Sequence, residues 1–346
     1  MVKRINFVIL VYVCSLGTLV AQDIHLLQFN ASPQNLNPSQ TGLFDGDWRF
    51  VGNYRNQWKA IPVPFNTYSI AADTRIMPTP PVLKPMFKNA VPGVGLLVNS
   101  DIAGDSKLQT TQVYLSISYI KQLSKDSTHF LSFAIQPGFT SKGFNTSDLS
   151  FDSQFDGNAY NPNLGTGENF STTSFGYFDV GTGLTYAWKK NSRTRMNVGF
   201  SVFHLNTPEQ TFFDNKNIEL DVKTNFNARV HYPVAERIDI EPSFLYQQQG
   251  KFKEFTIGLF GKYYLHPIYG METAVSLGAY NRAKDAWVAA ARLHYRSFIV
   301  GVSYDINSSN LNAATNNRGA FELSVIYIYK KIKPFIAKHR VCPIYM

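Results

Sequence analysis

Alternation with a period of two dominates the sequence and restricts the chain to a β-sheet fold. The stretch 321–329 is apolar at every second residue, and Glu322 and Ser324 begin its other face. The same alternation runs over 298–305 and 196–203. Because neighbouring side chains of a strand point to opposite faces, such runs predict strands with one apolar face and one face of small or polar residues.

These runs recur along most of the chain and are separated by turn residues. Their number, about fourteen, is even, and their length, about ten to thirteen residues, suits strands that cross a bilayer. Aromatic residues near the predicted strand ends resemble the girdles of membrane barrels. They are Trp48, Trp58, Trp188, Trp287, Tyr263, Tyr264, Tyr327 and Tyr329. The predicted strands are 47–58, 65–76, 92–102, 108–121, 128–141, 174–189, 193–205, 220–232, 237–248, 252–265, 269–281, 285–296, 298–307 and 319–331.

Long and short connections alternate, so the two ends of the predicted antiparallel transmembrane β-barrel (47–331) should differ. If the first strand runs outward, the long outer loops include 142–173, 206–219 and 308–318. The short inner turns include 190–192, 233–236, 266–268 and Ser297. The proline-rich link 77–91 is predicted to be an extended segment at the inner end, because repeated prolines block ladder pairing.

The N-terminus predicts export. Lys3 and Arg4 precede an apolar run and then small residues up to Ala21, which is typical of a secretory signal peptide over 1–21. Cys14 leaves a lipoprotein signal as the alternative. If the signal is removed, Cys342 is the one remaining cysteine and no internal disulfide is possible. The formal net charge of +9 fits contact with anionic lipid or a protein partner. Because this charge is scattered and the chain is exported, nucleic acid is excluded as a partner.

Two segments flank the predicted barrel, and both are expected on the periplasmic side because the strand number is even. The polar, turn-rich segment 22–46 is expected to pack as a luminal plug or as a docking strand, with a poorly ordered tail as the alternative. The basic tail 332–346 is expected either to bind a periplasmic lipoprotein, peptidoglycan or anionic lipid, or to be a solvated end.

The sequence contains no recognisable catalytic motif. A nucleophile elbow, a zinc-binding histidine pair and a phosphate loop are all missing, so we predict no enzyme activity, no cofactor and no metal. A hydrolase would have to assemble its residues from separate strands. Asp148, Asp152 and Asp156 in the long outer loop would offer calcium ligands, but their spacing is not that of an EF-hand, which favours a solvated loop.

The N-terminal region carries a family resemblance. The residues that carry it are Gln28, Phe29, Asn37, Pro38, Gly42, Tyr54, Arg55, Asn56, Gln57 and Trp58, with His204 and Pro208 further along and Cys342 and Pro343 near the end. They resemble the signature of the PorP/SprF family of outer-membrane proteins, which belong to the type IX secretion and gliding machinery. The similarity extends over nearly the whole mature chain.

The resemblance implies a non-enzymatic outer-membrane component that assists secretion or surface display of an adhesin-like cargo protein. Its expected partners are outer-membrane lipid, type IX secretion components and that cargo, and the signature residues up to Pro208 are candidates for partner contacts. Arg55 and Gln57 share one strand face, so they are expected to form either a binding cluster in the lumen or a structural network. From the fold alone, a passive channel or small-solute transporter is the alternative function.

Overall fold

The fold is a closed antiparallel barrel of 14 strands in which β1 pairs with β14. The structure is a computed structural model that describes residues 23–57, 65–76, 89–146, 149–168, 172–212, 218–266, 272–308 and 318–331. Each strand lies within four residues of its predicted bounds, so the predicted fold class is confirmed. The strands are β1 (Trp48–Gln57), β2 (Phe65–Arg75), β3 (Ala90–Ala103), β4 (Leu108–Gln122), β5 (His129–Gly143), β6 (Ser174–Lys189), β7 (Arg195–Phe203), β8 (Lys223–Ala235), β9 (Ile238–Gln249), β10 (Phe252–His266), β11 (Thr273–Arg282), β12 (Ala286–Tyr295), β13 (Phe298–Asn307) and β14 (Arg318–Tyr329).

The two faces of the barrel wall differ in polarity, and the apolar face points outward. In β1, Phe50 is 45% exposed, whereas Asn53 is 5% exposed and faces the interior. Ile70 in β2 and Leu277 in β11 are likewise exposed. A closed barrel pairs its backbone groups between strands and leaves no sheet edge, so this apolar exterior suits a hydrocarbon environment. No helix in the described ranges has both the length and the apolar character needed to cross a membrane.

Aromatic side chains mark the rims of the barrel, with one correction to the predicted girdle. Trp48, Trp287 and Tyr263 are each about half exposed on the outer face. Tyr264 was expected beside Tyr263 but is buried inside the barrel. The reason is the alternation itself, because two neighbouring residues of one strand cannot both face outward.

The two ends of the barrel differ as the connection lengths predicted. We call the end with the short links 123–128, 190–194, 236–237 and 296–297 the turn end, and the opposite end, with the links 144–173 and 204–222, the loop end. Strand β1 begins and β14 finishes at the turn end. The predicted signal peptide 1–21, most of the link 77–91 and the basic tail 332–346 lie outside the described residues.

Candidate functional site

The interior of the barrel is occupied by the chain's own N-terminal segment. We call residues 23–47 the interior segment. It begins at Asp23 near the loop end, beside His204 and Lys223, which flank the β7–β8 link. It ends at Asp47, whose N–H donates to the carbonyl of Tyr329 at the turn end. The start of this segment therefore lies at the opposite end of the barrel from the start of β1. This differs from the expectation that the whole segment 22–46 lies on the side of the barrel where β1 begins.

Three single turns shape the interior segment. They are Phe29–Ala31 (3-10), Pro33–Leu36 (α1) and Pro38–Gln40 (3-10). Pro33 and Pro38 stand at the start of two of these turns, where the fixed φ of proline suits the conformation and its missing N–H loses no bond. Asn37, which lies between α1 and the last turn, accepts a hydrogen bond from the N–H of Ser39 at 3.0 Å. Turns this short are not stable alone, so the barrel wall must hold the segment.

An apolar core forms between the interior segment and the wall. Leu27, Phe29 and Leu36 of the segment pack with inward-facing residues of β9 to β12 and β14. The ring of Phe29 lies 5.3 Å from that of Tyr280 in β11. This burial is the main non-directional contribution to holding the segment inside the barrel.

Asn37 anchors the middle of the segment to β6 and β7. Its side-chain amide donates to the carbonyls of Leu184 and Phe200, each at 3.3 Å. Two glycines make room for this approach. A Cβ atom on Gly183 would lie 2.0 Å from the Asn37 side-chain oxygen, and one on Gly199 would lie 2.6 Å from its nitrogen. The wall is therefore shaped to receive this asparagine.

Glu322 of β14 binds the backbone of the segment. Its two carboxylate oxygens accept the N–H groups of Leu27 at 2.6 Å and Gln28 at 2.9 Å. Arg55, on the inner face of β1, donates to the carbonyl of His25. Backbone groups that no turn satisfies are thus paired with charged wall residues, which satisfies the general requirement for buried polar groups.

A charged cluster, which we call the loop-end latch, holds the start of the segment. The Asp23 carboxylate lies 3.0 Å from Nε2 of His204 and 3.3 Å from Nζ of Lys223. Nδ1 of the same histidine lies 2.8 Å from Asp179, which also accepts the hydroxyl of Tyr114 at 2.6 Å. Burial alone would lower the pKa of His204, but the two carboxylates outweigh it and raise the pKa to about 9. The histidine is therefore charged at neutral pH and bridges the segment to β6.

Gly42 turns the segment toward β1 at the turn end. Its φ of +72° is a conformation that favours glycine, and a Cβ atom there would lie 3.2 Å from the Cα of Gly93. Its N–H donates to Asp73 at 2.7 Å. Arg49 donates twice to the same carboxylate, at 2.9 and 2.7 Å, and once to the carbonyl of Gln40. Asp73 thus joins the segment to the wall.

The structure places most of the signature residues in the interior. Those buried there are Gln28, Phe29, Asn37, Pro38, Gly42, Arg55 and His204. In this arrangement they contact the segment or the wall, which gives each a structural role. Arg55 joins a network with the segment, and among the described residues Gln57 makes no side-chain hydrogen bond within that network.

The other signature residues lie elsewhere. Tyr54 and Asn56 of β1 face outward and both donate to the side-chain oxygen of Asn66, at 3.2 and 2.7 Å. Trp58 lies outside the described residues. Pro208 is buried in the β7–β8 link, where its carbonyl accepts the N–H of Leu220.

Sequence reasoning did not single out Asp23, Asp73, Asp179 or Glu322 as site residues. The sequence pattern could have identified Asp73, Asp179 and Glu322, because each of these carboxylates lies at an inward position of an alternating strand. A charge at such a position inside a barrel needs a partner, which points to a buried network.

The long link at the loop end exposes apolar side chains. Phe155 and Tyr160 pair as an isolated bridge in the β5–β6 link and are 59% and 51% exposed. Asp156, between them, accepts the N–H groups of Asn158 and Ala159, each at 2.9 Å. No group of three potential metal ligands occurs among the described residues, and Asp148 lies outside them.

Comparisons with known proteins give one family. A family model described as "Type IX secretion system membrane protein PorP/SprF" matches residues 19–327. No curated protein matches the chain. Among solved structures, a Pseudomonas aeruginosa FadL homologue is similar, with 10% identity, a TM-score of 0.45 and coverage of 85% of this chain and 93% of that one. The P. putida toluene transporter TodX gives 9% identity, a TM-score of 0.47 and coverage of 86% and 93%. CdiB from Acinetobacter baumannii has 7% identity and a TM-score of 0.38, with coverage of 82% of this chain and 60% of that one.

Proposed function

Because the chain belongs to the PorP/SprF family of type IX secretion system membrane proteins, we propose that it acts as a closed, non-enzymatic outer-membrane scaffold that assists secretion or surface display of a partner cargo protein. The observation that carries this proposal is the occupied lumen. The interior segment is tied to both ends of the barrel, through Asp23 at the loop end and Gly42 at the turn end. Two cavities between residues 23–36 of the segment and the wall measure about 20 and about 30 Å³, which is room for a few waters.

A scaffold of this kind acts through its two ends. We place the loop end at the cell surface and the turn end in the periplasm, as the loop lengths of bacterial barrels suggest. At the loop end, Phe155 and Tyr160 offer exposed apolar area outside the lipid-facing band, which favours contact with an adhesin-like cargo. At the turn end, the start of β1 and the tail 332–346 would meet the periplasmic secretion and gliding machinery.

Affinity purification of the tagged protein from native outer membranes, followed by mass spectrometry, tests the proposal. The expected result is recovery of type IX components together with a large surface protein, and reduced recovery of that surface protein with Phe155→Ser/Tyr160→Ser. Recovery of neither class of protein would contradict the proposal. Tyr304→Ser on the lipid-facing side of β13 is the matched control, since it removes an aromatic side chain away from the loops.

A disulfide lock separates the scaffold from a passive channel. The hydroxyl oxygens of Ser39 and Thr185 lie 2.6 Å apart, so Ser39→Cys/Thr185→Cys in a Cys342→Ser background should bond the segment to β6. A channel would require the segment to move, whereas a scaffold would not. The expected result is unchanged cargo secretion by the locked protein and no conductance in planar bilayers. Secretion that is lost when locked and restored by reductant would favour the channel. Ser39→Cys alone is the control.

A further inference from the structure

The interior segment leaves a cavity open at the turn end. There the segment lies against β2, β4 and β5, to which Gly42, Thr41 and Ser39 are hydrogen-bonded. On the other side lies a cavity of about 320 Å³, which we call the turn-end vestibule. Its walls are inward-facing residues of β1, β7 to β10 and β12 to β14. Arg193 and Ser297 of the turns line its rim, so it opens along the barrel axis and not toward lipid.

The lining of the vestibule carries an excess of positive charge. Seven cationic side chains stand against four carboxylates, a formal charge of +3 with histidines neutral. The cations are Arg49, Arg193, Arg195, Arg229, Lys262, Arg296 and Lys330. The carboxylates are Asp45, Asp239, Glu241 and Glu272. A concave site lined by one sign of charge attracts ligands of the opposite sign.

Two of these carboxylates are fully engaged. Glu241 lies 2.8 Å from Arg229, 3.0 Å from His231 and 3.6 Å from Arg292. Asp239 pairs with Arg193 and accepts the hydroxyl of Tyr264 at 2.8 Å. Because each already pairs with a cation of its own, neither of them neutralises the positive excess of the lining.

Arg195 and Lys262, two cations of the lining, have no anion at hydrogen-bond distance among the described residues. The side chain of Arg195 makes no hydrogen bond or ion pair with any residue that the structure describes, and its Nε is buried without an acceptor. Lys262 comes within ion-pair distance of Glu272 at 3.9 Å, and its ammonium rests 4.5 Å from the ring centre of Tyr264. A partly buried cation without an anion is unfavourable, and an incoming carboxylate would relieve that cost.

An apolar strip borders the same cavity. Leu43 and Phe44 of the interior segment line it together with Ile299, Ile326 and Ile328 of β13 and β14. A ligand that fills the vestibule therefore meets cations on one side and hydrocarbon on the other. A small inorganic anion would pair with the cations but would leave the apolar strip uncovered. Lipid headgroups are separated from the cavity by the barrel wall.

We propose that the turn-end vestibule binds an acidic peptide segment of a partner protein, with carboxylate side chains directed to Arg195 and Lys262 and a neighbouring apolar side chain on the strip formed with Ile326. The proposal rests on the proposed function in one respect, because it assumes that a partner protein meets the barrel at the turn end. The cavity measures only about 320 Å³, so the partner inserts a short segment.

Binding is measured with the purified full-length barrel in detergent and a fluorescent pentapeptide of alternating glutamate and leucine. The same peptide with glutamine for glutamate is the ligand control. Expected results are saturable binding of the acidic peptide, weakening as salt rises, and at least a tenfold loss of affinity in Arg195→Gln/Lys262→Gln. Lys125→Gln, an exposed cation in the β4–β5 link at the same end, should bind as the unmodified protein does. Heat-modified gel mobility shows that each variant is folded.

Three results would overturn the inference. They are equal binding of the glutamine peptide, unchanged affinity in the double variant, and displacement of the peptide by inorganic phosphate at peptide-like concentrations, which would make the vestibule a site for small anions. Because the assay contains no cargo, its failure is separate from failure of the proposed function, which is judged by recovery of type IX components from membranes.

Discussion

The two halves of the interior segment are held in different ways. Residues 23–28, the charged half, are bound through ionised groups: Asp23 to His204, and the backbone of Leu27 and Gln28 to Glu322. Residues 35–41, the neutral half, are bound through amides, hydroxyls and carbonyls, apart from one bond from Arg49 to the carbonyl of Gln40. In that half, Asn37 reaches two wall carbonyls and Ser39 bonds Thr185.

This difference teaches which part of the segment responds to conditions. Neutral hydrogen bonds in a closely packed interior depend little on pH or salt, and they require the shape of the wall to match. Ion pairs and charged hydrogen bonds are individually stronger, but they weaken when one partner changes its charge. The neutral half therefore acts as a fixed anchor, and the charged half is the part that conditions can release.

The largest effect is expected from filling the space that the neutral half needs. In Gly183→Val, the new side chain would overlap Asn37, since even a Cβ would lie 2.0 Å from its oxygen. We expect the free energy of unfolding to fall by about 3 kcal/mol, the upper part of the range for overpacking. The measurement is urea unfolding in detergent, followed by heat-modified gel mobility.

Gly261→Val is the matched control for this substitution. Gly261 lies in β10, where no atom lies within 4 Å of an added Cβ. The free energy of unfolding of the Gly261→Val variant should therefore equal that of the unmodified protein. Equal stability of the two variants would mean that the neutral half does not depend on close fit, and the distinction between the halves would fail.

The strands were predictable because their signal is local and repeated. Alternation over ten or more residues fixes both the element and the face of each side chain. The same rule explains the one misplaced aromatic, Tyr264, which follows Tyr263 and so must point inward. Strand ends were less certain, because the turns next to them share the residues of the strands.

The path of the interior segment could not be predicted, because no local pattern encodes it. Its turns are single, and the residues that hold it lie far along the chain: Glu322 is 295 positions from Leu27. The family resemblance identified Gln28, Asn37 and Gly42 as signature residues but gave no physical reason for them. The structure gives that reason, because each is enclosed by the barrel wall. Asp23 belongs to no strand, so even its burial had no sequence signal.

A smaller, local effect is expected from weakening the charged half. In Asp23→Asn, the carboxylate between His204 and Lys223 is lost while shape is kept, so the start of the segment should be held less tightly by about 1–2 kcal/mol. Hydrogen exchange should therefore quicken about tenfold at the amides of Leu27 and Gln28. Amides over 35–41 should keep their protection.

Asp221→Asn is the control for this prediction, because Asp221 is an exposed carboxylate at the same end of the barrel. It should leave exchange unchanged throughout the segment. Faster exchange over 35–41 in Asp23→Asn would show that the two halves open together, which would contradict the division between them.

The smallest effect is the pH dependence of the latch. His204 titrates within the range from pH 6 to pH 10, because Asp23 and Asp179 outweigh the effect of its burial and raise its pKa to about 9. A histidine with a raised folded pKa contributes stability fully below its ordinary value of about 6.5, and loses it as pH rises through about 9. Asp23 keeps its charge throughout, since the cations Lys223 and His204 outweigh burial and lower its pKa.

The measurement is the midpoint of thermal unfolding for the unmodified protein and for His204→Gln, compared at each pH so that other titrating groups cancel. The unmodified protein should be more stable at pH 6, and its advantage should shrink from pH 7 upward and be nearly gone at pH 10. An advantage that stays constant over this range would mean that the histidine holds the segment as a neutral hydrogen-bond donor. The charged half would then be no more responsive to pH than the neutral half.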